Sequence, residues 1–206
     1  MYIKILPIGE DIMDNVILVD CDGVLLNWEY AFNTWMHRHG YKMKDGAELH
    51  YDMSDRYNLT PVEKNRLIKF FNESSAIGFL PPLRDAIHYV NKLHRKHGYV
   101  FHVITSLSLE SSAQELRTQN LKKLFGEGVF EKFVYLDTGA DKDEALAPYR
   151  DTGCFWVEDK PENYMTGYNL GLDSILVEHG HNMHLAEEGY VVLKNWKEIY
   201  GYVTGA

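Results

Sequence analysis

Apolar residues along this chain follow two rhythms that alternate from one end to the other. Short unbroken runs have the length of buried strands: Val16 to Asp20, Tyr99 to Ile104, Phe133 to Leu136, Gly153 to Val157 and Ser174 to Val177. Tyr190 to Leu193 is a further short strand, and Tyr2 to Leu6 another, followed by a polar turn. Between these runs the apolar positions recur every three or four residues, as on one face of a helix. Trp28, Phe32, Trp35 and Met36 form one such stripe; Leu83, Ala86, Ile87, Val90 and Leu93 form another; Leu116, Leu121 and Leu124 mark a third within a helix from about 111 to 125. Gly40 and Gly98 stop the first two. Further helices are expected over 141–149, 160–170 and 195–202. Strands alternating with helices predict an α/β protein with a Rossmann-like parallel sheet, helices on both faces.

Residues 28–80 break the alternation, because no strand pattern occurs there. Thr60-Pro61-Val62-Glu63 opens a helix with a capping residue, a proline in the first turn and a capping box. That helix runs to about Phe71 and is expected to bury Leu67, Phe70 and Phe71. Residues 41–59 show no clear period. The chain therefore reads as an α/β core over 1–27 and 81–206, with a small helical insertion over 28–80.

The chemistry-bearing residues fall just past strand ends. Asp20 and Asp22 follow the first strand, two positions apart and so on one side of the chain, and Gly23 lets the backbone turn sharply after them. Thr105 and Ser106 follow the second strand. Lys142 lies in the polar stretch after the third. Glu158 and Asp159 follow the fourth. The carboxyl ends of strands are where open parallel sheets bind ligands.

Composition narrows the reading. The chain has 206 residues, 45% hydrophobic and 25% charged, enough apolar material for a core. A net charge of -9 disfavours a polyanionic nucleic-acid partner. The two cysteines, Cys21 and Cys154, both fall in expected strands, which suggests a reducing compartment. Met1 to Gly9 is too short and too interrupted for a signal peptide, and no apolar stretch approaches membrane-spanning length. A cytoplasmic protein is expected.

Taken together, Asp20-Cys21-Asp22-Gly23-Val24, Val103-Ile104-Thr105-Ser106, Asp141-Lys142 and Phe155-Trp156-Val157-Glu158-Asp159 resemble, in order, the four motifs of the haloacid dehalogenase superfamily of phosphotransferases. The resemblance covers most of the chain, and the 28–80 insertion sits where one class of that superfamily places a helical cap. It implies Asp20 as nucleophile through an aspartyl-phosphate, and Asp22 as the acid and base. It implies Lys142 and Thr105 on the phosphate, and Mg²⁺ held by Asp20, the Asp22 carbonyl and Asp159, with Glu158 beside them. Four carboxylates around a phosphate dianion require cations, and Mg²⁺ suits hard oxygen ligands.

Leu80-Pro81-Pro82-Leu83-Arg84-Asp85-Ala86, with Thr105-Ser106 and Thr138-Gly139-Ala140-Asp141-Lys142, is similar to the 5'(3')-deoxyribonucleotidases. That family places an aromatic residue eight positions after the nucleophile to stack on the base, and Trp28 stands there. Trp28, Thr105, Ser106 and Lys142 are then the implied substrate contacts, and a nucleoside monophosphate the implied substrate. Three positions depart from the family: Asp85 replaces a glycine, Leu107 a proline and Glu158 an aspartate. Two other readings remain open: a phosphatase for a sugar or other small phosphate, and an idle binding module of the same fold. A homodimer also stays open. His179, His181 and His184 cluster within six residues, but Gly180 and the polar surroundings read as a surface loop rather than a metal site.

Overall fold

A computed structural model describes residues 15–47, 50 and 52–206. The strand expected at Tyr2 to Leu6 lies outside these residues. Six parallel strands form one sheet in the order β3-β2-β1-β4-β5-β6. They are β1 (Val16–Val19), β2 (Val100–Ser106), β3 (Phe130–Leu136), β4 (Phe155–Glu158), β5 (Asp173–Val177) and β6 (Val192–Leu193). From β1 in the middle the chain winds out through β2 to β3, then returns to lay β4 on the other side of β1. The winding reverses between β1 and β4, and the carboxyl ends of strands at such a point are where open parallel sheets bind ligands. Val19 pairs with both Val103 of β2 and Val157 of β4, so the residues that follow all three strands emerge at nearly one level.

Ile17, Leu18 and Val19 are fully buried, as a central strand covered on both faces requires. The connecting helices are α4 (Ala86–His97), α5 (Ser111–Phe125), the short α6 (Asp143–Leu146), α7 (Pro161–Asn169) and α8 (Trp196–Thr204). The expected 141–149 helix is in fact α6 followed by a single 3-10 turn over 147–149, because Pro148 offers no N–H to continue the ladder. Gly98 ends α4 in the left-handed region, its N–H returning to His94.

Between β1 and β2 the chain forms α1 (Trp28–Arg38), α2 (Met53–Tyr57), α3 (Pro61–Asn72) and a 3-10 helix over Ser75–Phe79. No strand occurs there among the described residues. The capping box forms as expected, with Thr60 and Glu63 exchanging hydrogen bonds. α2 escaped the sequence reading because five residues are too few to establish a period. Phe70 was expected inside but is 62% exposed, while Phe71 is fully buried. Leu67 and Phe71, four apart, hold the inward face of α3, and Phe70 is rotated off it. Phe32, Met36, Leu67 and Phe71 join Ile17, Val19 and Leu107 in one continuous apolar cluster, so the insertion and the sheet share a core.

The departures at Asp85 and Leu107 have structural explanations. Asp85 accepts backbone N–H bonds from Trp196 at 3.0 Å and Lys197 at 3.1 Å, capping α8 from a distant part of the chain. Leu107 N donates to the Leu136 carbonyl at 3.0 Å, a bond that proline could not make.

Candidate active site

Asp20 leaves β1 with its amide bonded to the Val157 carbonyl at 2.9 Å, which fixes the start of the turn to β4. The turn then closes on itself. Leu25 and Leu26 both donate to the Cys21 carbonyl at 2.9 Å, and Gly23 N donates to Leu26 O at 2.9 Å. Gly23 has φ +75, and a Cβ built there would collide with the Asp159 carboxylate. Glycine at this position therefore serves both a left-handed backbone and the close approach of an acidic side chain. The Trp196 indole N–H binds the Val24 carbonyl at 2.8 Å and anchors the far side of the turn to α8.

Lys142, only 2% exposed, reaches into this turn from the β3–α6 loop. Its ammonium lies 2.9 Å from Asp20 Oδ1 and 3.3 Å from Glu158 Oε2. Burial works against its charge, but the Asp20 and Glu158 carboxylates outweigh burial and raise its pKa. Glu158 is 1% exposed and takes a second contact at 2.6 Å from Asn163 Nδ2 on α7. Burial, with Asp20 close by, pushes the Glu158 carboxyl well above the ordinary range. The same causes, burial first and then the Asp20 charge, raise Asp159 to about 8.

Asp20, Glu158 and Asp159 each offer an oxygen within 4.8 Å of the others. One lysine faces three converging carboxylates, and Asp20 Oδ1 has the Lys142 ion pair without an aligned hydrogen bond. An all-oxygen donor set carrying excess negative charge suits a hard divalent cation such as Mg²⁺.

Asp22 has a different cation. Arg117 Nη1 and Nη2 lie 2.7 and 3.3 Å from its two carboxylate oxygens. Burial raises the Asp22 pKa, with Arg117 pulling the other way. Cys21, between the two aspartates, points into the core, and burial pushes its thiol up to about 12. It is therefore protonated and inert at neutral pH. Sequence reading missed Arg117. The signal was its spacing: it stands four residues after Ala113 and four before Leu121, on the inward stripe of α5.

Thr105 is 1% exposed at the end of β2. Ser106 faces elsewhere: its hydroxyl donates to the Ala140 carbonyl at 2.7 Å and ties the second strand's end to the loop that carries Lys142. Trp28 is half-buried at the start of α1. One face stacks on Phe32 at 4.7 Å, the ring stands at right angles to Phe71, and its N–H donates to Asn72 Oδ1 at 2.9 Å.

The histidine cluster divides. His184 is exposed, but His179 and His181 are half-buried and stack on each other at 5.6 Å. His179 Nε2 meets the Gly23 carbonyl at 2.7 Å, and His181 Nε2 the Asp159 carbonyl at 3.1 Å. Asn182 adds a bond to the same Asp159 carbonyl at 2.8 Å. Two of the three histidines thus brace the first and fourth motifs. A loop that looked solvated is part of the site's frame, because its partners are backbone carbonyls that no sequence pattern displays. Burial lowers the pKa of both rings, which favours neutral imidazoles in these contacts.

No protein-family model matches the chain. An uncharacterized 32.4 kDa protein of Enterobacteria phage T4, from the Gp30-rIII intergenic region, is 28% identical over 137 residues, covering 64% of this chain and 48% of that protein. The chain thus spans about half the length of this curated relative. Among solved structures, a haloacid dehalogenase-like hydrolase from Streptococcus pneumoniae superposes with a TM-score of 0.64 at 15% identity, over 92% of this chain and 98% of that one. The D,D-heptose 1.7-bisphosphate phosphatase of B. bronchiseptica, solved with magnesium and phosphate, gives 0.56 at 13% identity, over 93% and 98%. At such identities the likeness is one of architecture. The chain has the α/β fold of the haloacid dehalogenase-like hydrolases, with its acidic cluster at the carboxyl ends of β1 and β4.

Proposed function

We propose that this protein is a metal-dependent phosphomonoester hydrolase working through an aspartyl-phosphate, with a nucleoside monophosphate as substrate. The observation that carries the reading is the Asp20–Lys142 contact of 2.9 Å inside the acidic cluster at the sheet's switch point. Phosphoryl transfer needs a placed nucleophile, a proton carrier and charge neutralisation more than it needs elaborate covalent chemistry.

Asp20 attacks phosphorus, and the ester P–O bond breaks with its electron pair on the leaving oxygen. Asp22 supplies that oxygen's proton. Water then attacks the phosphorus of the aspartyl-phosphate and gives its proton to Asp22. The Asp20–phosphorus bond breaks, inorganic phosphate leaves, and both carboxyls regain their starting states. Lys142 stays charged throughout and balances Asp20 and the phosphate. Thr105 and neighbouring backbone N–H groups hold phosphate oxygens. A divalent cation, Mg²⁺ as the natural hard ion, would neutralise the phosphate dianion, held by Asp20, the Asp22 carbonyl and Asp159, with Glu158 beside them.

The insertion over 28–80 serves as the cap over this site. Trp28, half-buried at the start of the insertion, is the ring on which a base would stack, which is the support for a nucleotide over a smaller phosphate. A sugar or other small phosphate is the second reading, favoured by how far Trp28 is already engaged by Phe32, Phe71 and Asn72. A panel of phosphate esters assayed with Mg²⁺ and with EDTA tests both readings. Turnover that needs the cation and is fastest on nucleoside monophosphates is expected. Absence of any metal-dependent turnover would contradict the proposal.

A further inference from the structure

We infer that Arg117 is a positioning residue that sets the direction of the Asp22 carboxylate. The inference rests on the phosphatase reading above. Arg117 is fully buried on α5, where the other inward residues are Ala113, Asn120, Leu121 and Phe125. Packing alone does not ask for a guanidinium in that stripe, since an apolar side chain of similar volume commonly replaces a buried ion pair without loss. Its Nε has no hydrogen-bond partner, and the Asp22 carboxylate, which both Nη groups reach, is the largest influence set against the desolvation of the guanidinium.

The geometry defines what those contacts do. Two N–H donors on two carboxylate oxygens fix the plane of the carboxylate as well as its position. The grip is uneven. Oδ1 is held at 2.7 Å and Oδ2 at 3.3 Å, which leaves Oδ2 the freer oxygen to exchange a proton with the leaving group. The two aspartates of the turn therefore have separate cations from opposite sides: Lys142 from the β3–α6 loop on Asp20, and Arg117 from α5 on Asp22. Asp20 can move onto phosphorus without releasing Asp22.

A positioned proton donor matters most when the leaving group is poor. Arg117→Lys keeps a positive charge but loses the two-pronged contact, and Arg117→Met keeps the volume alone. Both are assayed with Mg²⁺ on p-nitrophenyl phosphate, phenyl phosphate and a simple alkyl phosphate, beside the melting temperature. Expected losses in kcat are below about tenfold for p-nitrophenyl phosphate and about 10²- to 10³-fold for the alkyl ester, with KM little changed. Equal losses across the series, or full rescue by lysine, would overturn the inference. Wild-type turnover of p-nitrophenyl phosphate tests the phosphatase reading separately. A wild-type crystal structure with magnesium and vanadate needs no variant to fold. Asp22 still clasped by both Nη groups supports the inference, and Asp22 swung away from Arg117 contradicts it.

Discussion

The Trp28 indole donates its N–H to Asn72 Oδ1 at 2.9 Å, and Asn72 in turn donates to the Leu107 carbonyl at 3.1 Å. The first helix of the insertion is thereby joined to the loop that follows Thr105, and Glu73 adds a contact from Ser108 at 2.9 Å. A side chain proposed to meet the substrate is thus also part of the joint between the insertion and the sheet.

That double role makes a separable prediction. Base stacking on an aromatic ring contributes about 1–3 kcal/mol, so Trp28→Ala should lower kcat/KM on a nucleoside monophosphate by roughly one to two orders of magnitude. A small phosphate without a base should lose far less. Trp28→Phe keeps a ring but removes the bond to Asn72, which should lower stability by about 0.5–1.5 kcal/mol, a few degrees in melting temperature. Equal losses of Trp28→Ala on the two substrates would assign the ring to packing with Phe32 alone.

Lys142 is the one cation in contact with both Asp20 and Glu158 among the described residues. Lys142→Ala should reduce kcat/KM by about 10²- to 10³-fold, the loss typical of a group aimed at transition-state charge. In chelator it should also lower the melting temperature, since removing one partner of a buried pair costs about 3–5 kcal/mol. Activity within a few-fold of wild type would remove Lys142 from the site.

The acidic cluster gives the metal-free protein a pH dependence of definite sign. Asp159 is raised from 3.8 to about 8 in the folded chain by burial and by Asp20. Between those values the folded state holds a proton that the unfolded state has lost. Stability is therefore greatest at low pH and falls as pH rises through that window. In EDTA the melting temperature should drop between about pH 5 and 8. Mg²⁺ at about a hundred times its dissociation constant contributes ~2.7 kcal/mol, or about 5–10 °C for a chain of this size. That gain should be large at pH 8 and small at pH 5, where the ligands are protonated. A pH-independent gain would place the cation elsewhere.

Asp85 stands where the resembled nucleotidases have glycine, yet its carboxylate caps α8 through the Trp196 and Lys197 amides. Asp85→Ala should lower stability by about 0.5–2 kcal/mol and leave kcat within about twofold, since the residue touches no proposed substrate group. A large fall in kcat at unchanged stability would give Asp85 a role at the substrate instead.

These cases show what the sequence displays and what it hides. The alternation of apolar runs and helical stripes gave the sheet, and the position of Asp20, Thr105, Lys142 and Glu158-Asp159 after strands gave one end of it, because those features are periodic or local. Strand order is not local, so the switch point between β1 and β4 becomes visible only in the fold. Arg117 was hidden because a single charge in an apolar stripe looks like an interruption until its partner is known. His179 and His181 were hidden because their partners are the carbonyls of Gly23 and Asp159. Phe70 and Phe71 show the limit of periodicity itself: neighbours on a helix lie about 100° apart and either can fall on a broad apolar stripe, and packing chose Phe71.

The central claim is that Asp20 carries the phosphoryl group. The most direct measurement is acid quenching of the enzyme during turnover of p-nitrophenyl phosphate with Mg²⁺, followed by peptide mass spectrometry, for wild type and Asp20→Asn side by side. The account predicts a phosphoryl adduct on Asp20 in the wild type. It predicts neither adduct nor turnover in a folded Asp20→Asn variant. Sustained turnover by that variant, or an adduct on any other residue, would contradict it.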